Sequence, residues 1–212
     1  MKLYNYFRSS AAYRVRIAVN LKGLKPENVF VHMLKNEQQA PDYLKVNPQG
    51  LVPTLVDGDE VLTQSLAIIE YLDETYPSPP LLPDTAAERA RVRSIALTIA
   101  CDIHPIDNLR VLRYLIHELG VSEEQKNKWF EHWIRLGFSA LESRLTADPR
   151  TGRFCHGDTP TLADICLVPQ MANARRVSMD ISAFPTLLRI EKDCNALPAF
   201  ADAAPARQPD AA

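Results

Sequence analysis

The chain has 212 residues, which is long for one domain and sufficient for a small domain followed by a larger one. Its 24 lysines and arginines nearly balance its 26 aspartates and glutamates, so a net charge of -2 excludes a general attraction to nucleic acid or to an anionic membrane. No apolar segment approaches membrane-spanning length, and the start of the chain has no basic stretch before an apolar core. We therefore expect a cytoplasmic protein.

The cysteines and histidines form neither a disulfide pattern nor a metal-binding pattern. The cysteines are scattered without a C-x-x-C pair, at Cys101, Cys155, Cys166 and Cys194. This argues against a disulfide framework and against a tetrathiolate zinc site. We therefore expect no metal, and cysteines that behave as small apolar residues.

The first part of the chain predicts a mixed sheet with helices packed against it. In chain order we expect a strand, a helix, a short strand, a loose helical turn, a hairpin and a helix, at Lys2–Phe7, Ala11–Lys22, Asn28–His32, Pro41–Asn47, Val52–Thr63 and Ser65–Thr75. Asp57-Gly58 is the expected turn of the hairpin, and Ser65 is the expected cap of the last helix.

A proline-rich segment from Pro77 to Pro83 interrupts every periodic pattern and marks the expected domain boundary. No later segment resembles a strand. We therefore expect an α+β domain at residues 1–80 and an all-helical domain at residues 87–212.

The helical domain is predicted from apolar residues at steps of three and four. One long helix should run from Ala86 towards the Leu109–Leu119 region, with a kink at Pro105. A second amphipathic helix is expected at Glu131–Leu145, and Thr161 to Asp164 forms a capping box before another. The tail from Ala203, rich in alanine and proline, is expected to fray.

Polar residues stand where two of the predicted helices begin. Ser9 and Ser10 follow the first strand, where the simplest interpretation is that one of them caps the helix. Gln64 and Ser65 precede the last helix of the first domain, whose free N–H groups would suit a carboxylate. Pro53, just before the hairpin, is a candidate cis proline.

Five segments together carry a family resemblance, namely Ser9–Ala18, Asn47–Leu55, Thr63–Leu72, Asp102–Asn108 and Thr159–Asp164. Through them the chain resembles the zeta class of glutathione transferases, the maleylacetoacetate and maleylpyruvate isomerases, over essentially its whole length. The resemblance implies a thioredoxin-like α+β N-terminal domain, an all-α C-terminal domain, a homodimer and glutathione as cofactor.

The resemblance also implies a glutathione site. The residues it places there are Ser9, Ser10, Ala11, Gln38, Val52, Gln64 and Ser65 in the first domain, and His104, Asn108, Leu109 and Arg110 in the second. Ser9 would face the sulfur, the backbone of Val52 would pair with the tripeptide, and Gln64 with Ser65 would hold the γ-glutamyl end. From its place on the apolar side of a helix, His104 is equally a satisfied core histidine.

The implied reaction is a cis–trans isomerisation of a maleyl dicarboxylate, in which the thiolate adds to the double bond and is later eliminated. Ser9 would stabilise the thiolate by a hydrogen bond. Cations would grip the carboxylate and enol oxygens of the substrate, and Arg8, Arg110 and Arg176 are the candidates. Each arginine taken alone is a solvated surface charge; proximity to the glutathione motifs favours Arg8 and Arg110, and the resemblance favours Arg176.

Two departures from the family pattern leave the substrate open. The family usually has Cys and Trp where this chain has Ala11 and Tyr13, so any chemistry of that thiol is absent. His104 and Arg110 resemble the maleylpyruvate branch, whereas Leu109 resembles the maleylacetoacetate branch. Two other functions compete, a broad-range glutathione transferase or peroxidase and a non-catalytic binding module. The arginines argue against the former, and the retained glutathione motifs against the latter.

Overall fold

The computed structural model describes residues 1–211 and divides the chain into two compact units. The first unit contains Met1–Leu81 together with the residues from Asn195 onward, and the second contains Leu82–Cys194. The change from one unit to the other falls in the proline-rich segment. Ala212, the last residue of the expected helical domain, lies outside the described residues.

The first unit is built on one mixed sheet. Its strands are β1 (Lys2–Asn5), β2 (Glu27–Phe30), β3 (Thr54–Asp57) and β4 (Glu60–Thr63), in the order β2-β1-β3-β4. β1 is parallel to β2 and antiparallel to β3, and β3 and β4 form the predicted hairpin. The turn residues are Gly58 and Asp59 rather than Asp57 and Gly58, because Asp57 still pairs with Glu60. Gly58 has a φ of 60°, a conformation that glycine adopts without strain.

Three helices accompany the sheet in chain order, α1 (Ser10–Leu21), α2 (Pro41–Val46) and α3 (Ser65–Thr75). The predicted helices are therefore confirmed, and α1 and α3 bury their apolar residues with the sheet residues Leu3 and Leu55. The predicted cap of α3 is wrong. Ser65 is the first helical residue, and Gln64 precedes it with a φ of 67° and no side-chain capping bond.

The second unit is helical throughout the described residues. Its helices are α4 (Ala86–Leu97), α5 (Leu109–His117), α6 (Glu123–Ala147), α7 (Leu162–Arg176) and α8 (Pro185–Asn195). An α+β unit followed by a helical unit confirms the predicted fold class. Within the described chain, none of the helices combines the length and the apolar composition that crossing a bilayer requires.

The long kinked helix predicted from Ala86 is wrong. After α4 the chain widens into a π-helical segment, Thr98–Ile103, and then tightens into a 3-10 turn, His104–Ile106. Pro105 cannot donate a backbone hydrogen bond, so no regular α-helix continues through this turn. The next α-helix, α5, starts only at Leu109. Asn108 caps it, because the Asn108 side-chain Oδ1 accepts a hydrogen bond from Val111 N at 3.2 Å.

The predicted capping box at Thr161 is confirmed. Thr161 N donates to Asp164 Oδ2 at 2.8 Å, and the Thr161 hydroxyl accepts from the first turn of α7. The other carboxylate oxygen of Asp164 accepts a hydrogen bond from Cys155 N at 2.8 Å. Asp164 therefore fastens the preceding loop to the buried start of α7.

We call residues 198–211 the tail. It forms a short helix, α9 (Pro198–Ala201), and then 3-10 turns at Pro205–Arg207 and Pro209–Ala211. The predicted fraying from Ala203 is therefore wrong for the described residues. Ala203 is buried, and its carbonyl accepts a hydrogen bond from Arg16 Nε at 3.0 Å. Burial against the rest of the first unit therefore overrides the weak local preferences of alanine and proline in this segment.

Candidate active site

Ser9 stands at the junction of β1 and α1 and is the cap of α1. Its Oγ accepts a hydrogen bond from Ala12 N at 3.2 Å, and its carbonyl accepts one from Tyr13 N at 2.8 Å. A capping serine uses a lone pair of its hydroxyl and keeps the hydroxyl proton for another acceptor. The capping interpretation of Ser9 is therefore correct, and it is compatible with donation of a hydrogen bond to a thiolate.

The next residues form the first turn of α1. Ser10 is buried, Ala11 is partly exposed, and Tyr13 is buried with its hydroxyl donating to Phe200 O at 3.3 Å. The aromatic residue that departs from the family pattern thus packs within the first unit, against the tail. Arg8, just before Ser9, is exposed, with its guanidinium carbon 5.8 Å from the centroid of the Phe7 ring.

The peptide bond between Val52 and Pro53 is cis, which confirms the predicted cis proline. Val52 is buried and lies two residues before the start of β3. The carboxamide of Asn47 donates to Leu51 O at 2.8 Å and to the hydroxyl of Thr54 at 3.1 Å. These bonds tie Asn47 to the backbone before Val52 and to the side chain of Thr54 after it.

The start of α3 offers free backbone N–H groups, because Gln64 makes no side-chain capping bond. The hydroxyl of Ser65 accepts a hydrogen bond from Arg14 Nη1 at 3.3 Å, and Arg14 is only 1% exposed. A buried cation beside a helix N-terminus adds to its attraction for a carboxylate. Sequence reasoning assigned no role to Arg14, although its position in the Ser9–Ala18 segment could have drawn attention to it.

Gln38 lies in a 3-10 turn, Glu37–Gln39, and is only 6% exposed. Among the described residues, its Oε1 has no hydrogen-bond partner. Gly50 brings the neighbouring loop close: a Cβ there would lie 2.4 Å from Gln39 Nε2 and 3.0 Å from Gln38 O. A buried acceptor without a donor is costly, so Gln38 Oε1 is suited to an N–H group of a ligand.

The candidates of the second unit occupy two places within that unit. His104 opens the 3-10 turn, Asn108 caps α5, and Leu109 is the first residue of that helix. Arg110 follows and is exposed, whereas Arg176 ends α7 with its guanidinium carbon 5.6 Å from the centroid of the Phe130 ring. His104, Asn108 and Arg110 thus lie in one short segment of the chain, at the turn before α5 and in its first residues.

Comparison with known proteins gives agreement over the whole chain. The glutathione S-transferase N-terminal domain family matches residues 1–74. A protein of Vibrio cholerae named probable maleylacetoacetate isomerase is 54% identical, with 99% of this chain and 97% of that protein covered. The chain belongs to the zeta class of the glutathione transferase family.

Solved structures agree with this assignment. A holo structure of maleyl pyruvate isomerase, described as a zeta-class bacterial glutathione S-transferase, matches with a TM-score of 0.98 and 50% identity and full coverage of both chains. A maleylacetoacetate isomerase from Methylobacterium extorquens AM1, solved with malonate and glutathione bound, matches with a TM-score of 0.97, 45% identity and full coverage of both chains. The predicted family and its fold are confirmed.

Sequence reasoning overlooked Asp107, which lies inside this zeta-class motif between His104 and Asn108. The residue is only 6% exposed, and neither carboxyl oxygen has a hydrogen-bond partner among the described residues. Burial raises the pKa of Asp107 from 3.8 to about 8. Its carboxyl group is therefore protonated at neutral pH, and no pattern in the sequence revealed that it is buried.

We expect Asp107→Asn to change the pH dependence of stability. An unfolded Asp107 loses its proton near pH 3.8, whereas the folded one keeps it to about pH 8. Between these limits the folded state binds more protons, so rising pH should lower the wild-type free energy of unfolding by up to about 1.4 kcal/mol per pH unit. The free energy of unfolding of Asp107→Asn should lack this decrease. The difference in stability between the variant and the wild type should therefore shift in favour of the variant as the pH rises to about 8.

Urea unfolding at a series of pH values measures this difference. Asp102→Asn, which removes an exposed carboxylate from the same segment, is the matched control and should follow the wild-type profile. Parallel profiles for Asp107→Asn and the wild type would show that Asp107 is ionised like an ordinary surface carboxylate.

Proposed function

We propose that the chain is a glutathione-dependent cis–trans isomerase that converts a maleyl dicarboxylate, maleylacetoacetate or maleylpyruvate, to its fumaryl isomer in the breakdown of an aromatic compound. The observation that carries this proposal is full-length similarity, at 50% identity or more, to proteins named as isomerases of these two substrates. The alternative is a broad-range transferase or peroxidase, which would use the same thiol on apolar electrophiles.

The first unit provides groups that fit glutathione. Ser65 and the uncapped start of α3, with the buried Arg14 beside it, suit the γ-glutamyl carboxylate. Val52 presents its backbone next to the cis peptide bond, and Gln38 Oε1 suits a peptide N–H group of the ligand. Gln64, with Ser65, and the start of α1 at Ser10 and Ala11 complete the proposed site in this unit.

Glutathione supplies the thiol that adds reversibly to the double bond of the substrate. An ordinary cysteine thiol with a pKa of about 8.5 is only about 3% ionised at pH 7. The Ser9 hydroxyl holds a proton that is not used in capping, and it stabilises the thiolate by donating it in a hydrogen bond. The positive end of α1 acts in the same direction.

The zeta-class resemblance extends the proposal to residues of the second unit. We assign His104, Asn108, Leu109 and Arg110 to the glutathione site, and Arg8, Arg110 and Arg176 to the anionic oxygens of the substrate. Arginine suits this task because its planar guanidinium forms paired hydrogen bonds with a carboxylate and remains charged. Charge that develops on the enol oxygen during the reaction is stabilised by the same cations.

The proposed function is tested by a glutathione-dependent absorbance assay on three substrates. Maleylpyruvate, maleylacetoacetate and a chlorinated aromatic acceptor are compared with the purified protein. Turnover of a maleyl substrate that requires glutathione but does not consume it is the expected result. Turnover of the aromatic acceptor alone would favour the broad-range transferase. The maleyl substrate with the higher kcat/KM would show whether the chain is a maleylacetoacetate or a maleylpyruvate isomerase.

Ser9→Ala should lower turnover at neutral pH about ten- to a hundredfold and leave glutathione affinity within a few fold. Raising the pH should recover part of the loss, because the thiol then ionises without help. Ser9→Thr, which keeps both the hydroxyl and the cap of α1, is the matched control and should retain most of the activity. A rate–pH profile of Ser9→Ala equal to the wild type would move the role to Ser10.

We also propose a cytoplasmic homodimer. The dimer is the expectation from the zeta class, and the free cysteines Cys101, Cys155, Cys166 and Cys194 are consistent with a reducing compartment. Burial raises the pKa of the Cys155 thiol, which makes that group unreactive. Light scattering coupled to size-exclusion chromatography tests the dimer.

A further inference from the structure

The tail of the chain contacts the loop that precedes Ser9. We call residues 6–9, between β1 and α1, the Ser9 loop. Phe7 N donates a hydrogen bond to Asp210 Oδ2 at 2.9 Å, across 203 positions of sequence. A hydrogen bond to a carboxylate is about twice as strong as one between neutral groups. The amide of the Ser9 loop is therefore held by a charged group of the tail.

Arg16 holds the carbonyls of the same loop. Its guanidinium donates to Tyr6 O at 3.3 Å and to Phe7 O at 3.1 Å, and its Nε donates to Ala203 O in the tail. Arg16 is buried, which lowers its pKa to about 10, and the charge of Asp210 acts in the opposite direction. Arg16 thus remains a cation at neutral pH and joins the loop to the tail.

These contacts lead directly to Ser9. Ser9 N donates to Tyr6 O at 3.0 Å, so the carbonyl that Arg16 grips also fixes the Ser9 backbone. The loop is held at Phe7 N by Asp210, and at the carbonyls of Tyr6 and Phe7 by Arg16. A displacement of about 1 Å in a catalytic group can cost about a hundredfold in rate, so the orientation of this loop matters for Ser9.

We propose that Asp210 is a positioning residue, which acts with Arg16 to hold the Ser9 loop so that the Ser9 hydroxyl points at the glutathione sulfur. This inference rests on the proposed role of Ser9. The last residues of the chain are then part of the active-site support, although they are far from Ser9 in sequence.

Other tail contacts provide controls because they do not involve the Ser9 loop. The Gln208 carboxamide donates to Asp202 O at 2.8 Å and to Ala204 O at 3.1 Å, within the tail itself. Asp202 is exposed, and only its backbone carbonyl takes part in that contact. Asp202→Asn therefore removes the same charge from the same tail, and Gln208→Ala removes two hydrogen bonds inside the tail while Asp210 stays in place.

The experiment compares Asp210→Asn with both controls in the full-length protein. The thiol pKa of bound glutathione is read from the ultraviolet absorbance of the thiolate, and turnover is measured across pH. We expect Asp210→Asn to raise that pKa by about half a unit to one unit. Turnover at neutral pH should fall about two- to tenfold, recover at high pH, and leave the KM for glutathione within about twofold. Both controls should behave as the wild type.

A double-mutant cycle with Ser9→Ala separates positioning from simple anchoring of the tail. If Asp210 acts through Ser9, the double variant should have the same thiol pKa as the Ser9→Ala single variant. The proposal would be overturned if Asp210→Asn shifted the thiol pKa equally in the wild type and in Ser9→Ala. It would also be overturned if Asp202→Asn shifted that pKa as much as Asp210→Asn does. If Asp210→Asn loses activity only by melting at lower temperature, with its thiol pKa unaltered, the tail is an anchor and the proposal fails.

Failure of this proposal is distinguishable from failure of the proposed role of Ser9, and neither thiol pKa depends on which substrate the protein converts. Ser9→Ala without any effect on the thiol pKa would overturn the roles of both Ser9 and Asp210. A raised pKa in Ser9→Ala with a normal one in Asp210→Asn would overturn only the role of Asp210. Should Asp210→Asn unfold at the assay temperature, Asp210→Glu, which moves the carboxylate by one methylene group, takes its place in the cycle.

Discussion

Replacing Arg8, Arg110 or Arg176 with alanine should lower kcat/KM for the maleyl substrate by an amount equivalent to about 2–4 kcal/mol. Glutathione affinity should remain normal in the Arg8 and Arg176 variants. We also assign Arg110 to the glutathione site, so its variant should lose some glutathione affinity, but less than it loses in kcat/KM for the maleyl substrate. The reason is that each guanidinium is proposed to hold an anionic oxygen that an apolar acceptor lacks. Arg→Lys should rescue only in part, since a point charge does not reproduce two parallel hydrogen bonds.

Steady-state kinetics on maleylpyruvate and on an uncharged electrophile measure this effect. Arg135→Ala, which removes an exposed arginine of α6 that we do not assign to the site, is the matched control. A loss confined to KM assigns an arginine to uniform substrate binding, and an equal fall of kcat and kcat/KM assigns it to charge in the transition state. Equal losses on both substrates, or none on either, would refute the dicarboxylate isomerase in favour of the broad-range transferase.

Asp164→Ala should destabilise the fold by about 3–5 kcal/mol, because it leaves several buried donors without an acceptor. The carboxylate accepts hydrogen bonds from Cys155 N, Thr161 N and the Thr161 hydroxyl at 2.8–3.0 Å, and it is fully buried. Each buried donor left without an acceptor costs about 1–3 kcal/mol. The loop that ends at Thr161 and the first turn of α7 would lose their common anchor.

Urea unfolding at one fixed protein concentration measures the loss, since dissociation of a dimer would otherwise enter the result. Asp158→Ala is the control, because exposed Asp158 accepts one backbone hydrogen bond, from Arg153 N, near the same loop. Asp158→Ala should lower the free energy of unfolding by less than about 1 kcal/mol. Asp164→Asn should fall between the two, because its carboxamide keeps one acceptor and turns a donor towards the other amide. Similar losses for Asp164→Ala and Asp158→Ala would show that the capping box does not anchor the loop.

The parts of the structure that were predicted correctly are those that depend on local patterns. The hairpin follows from strand-forming residues around Gly58, and the start of α7 follows from Thr161 and Asp164, which lie three residues apart. Where a local pattern competes with other forces, the prediction failed. The periodic apolar residues from Ala86 onward predicted one helix, but the backbone around Pro105 takes π and 3-10 turns instead.

In the candidate site, too, some features could be predicted from local sequence patterns and others could not. The positions of Ser9, Val52 and Ser65 at element ends could be predicted, since each is marked by a strand, a helix start or a proline next to it. The Arg14 contact with Ser65 could not, because it joins residues 51 positions apart in sequence. The burial of Asp107 was equally invisible, since an aspartate in a polar-looking motif is ordinarily exposed.

The sequence by itself determined the family, the order of strands and helices in the first unit, and the motifs that place Ser9 and Ser65 at helix starts. Such features depend on residue type and on short spacings, which a linear chain displays directly. Only the tertiary structure decided that the tail is ordered and that Asp210 and Arg16 grip the Ser9 loop. These contacts form because folding buries distant segments together, so that their charged and backbone polar groups must satisfy one another away from water.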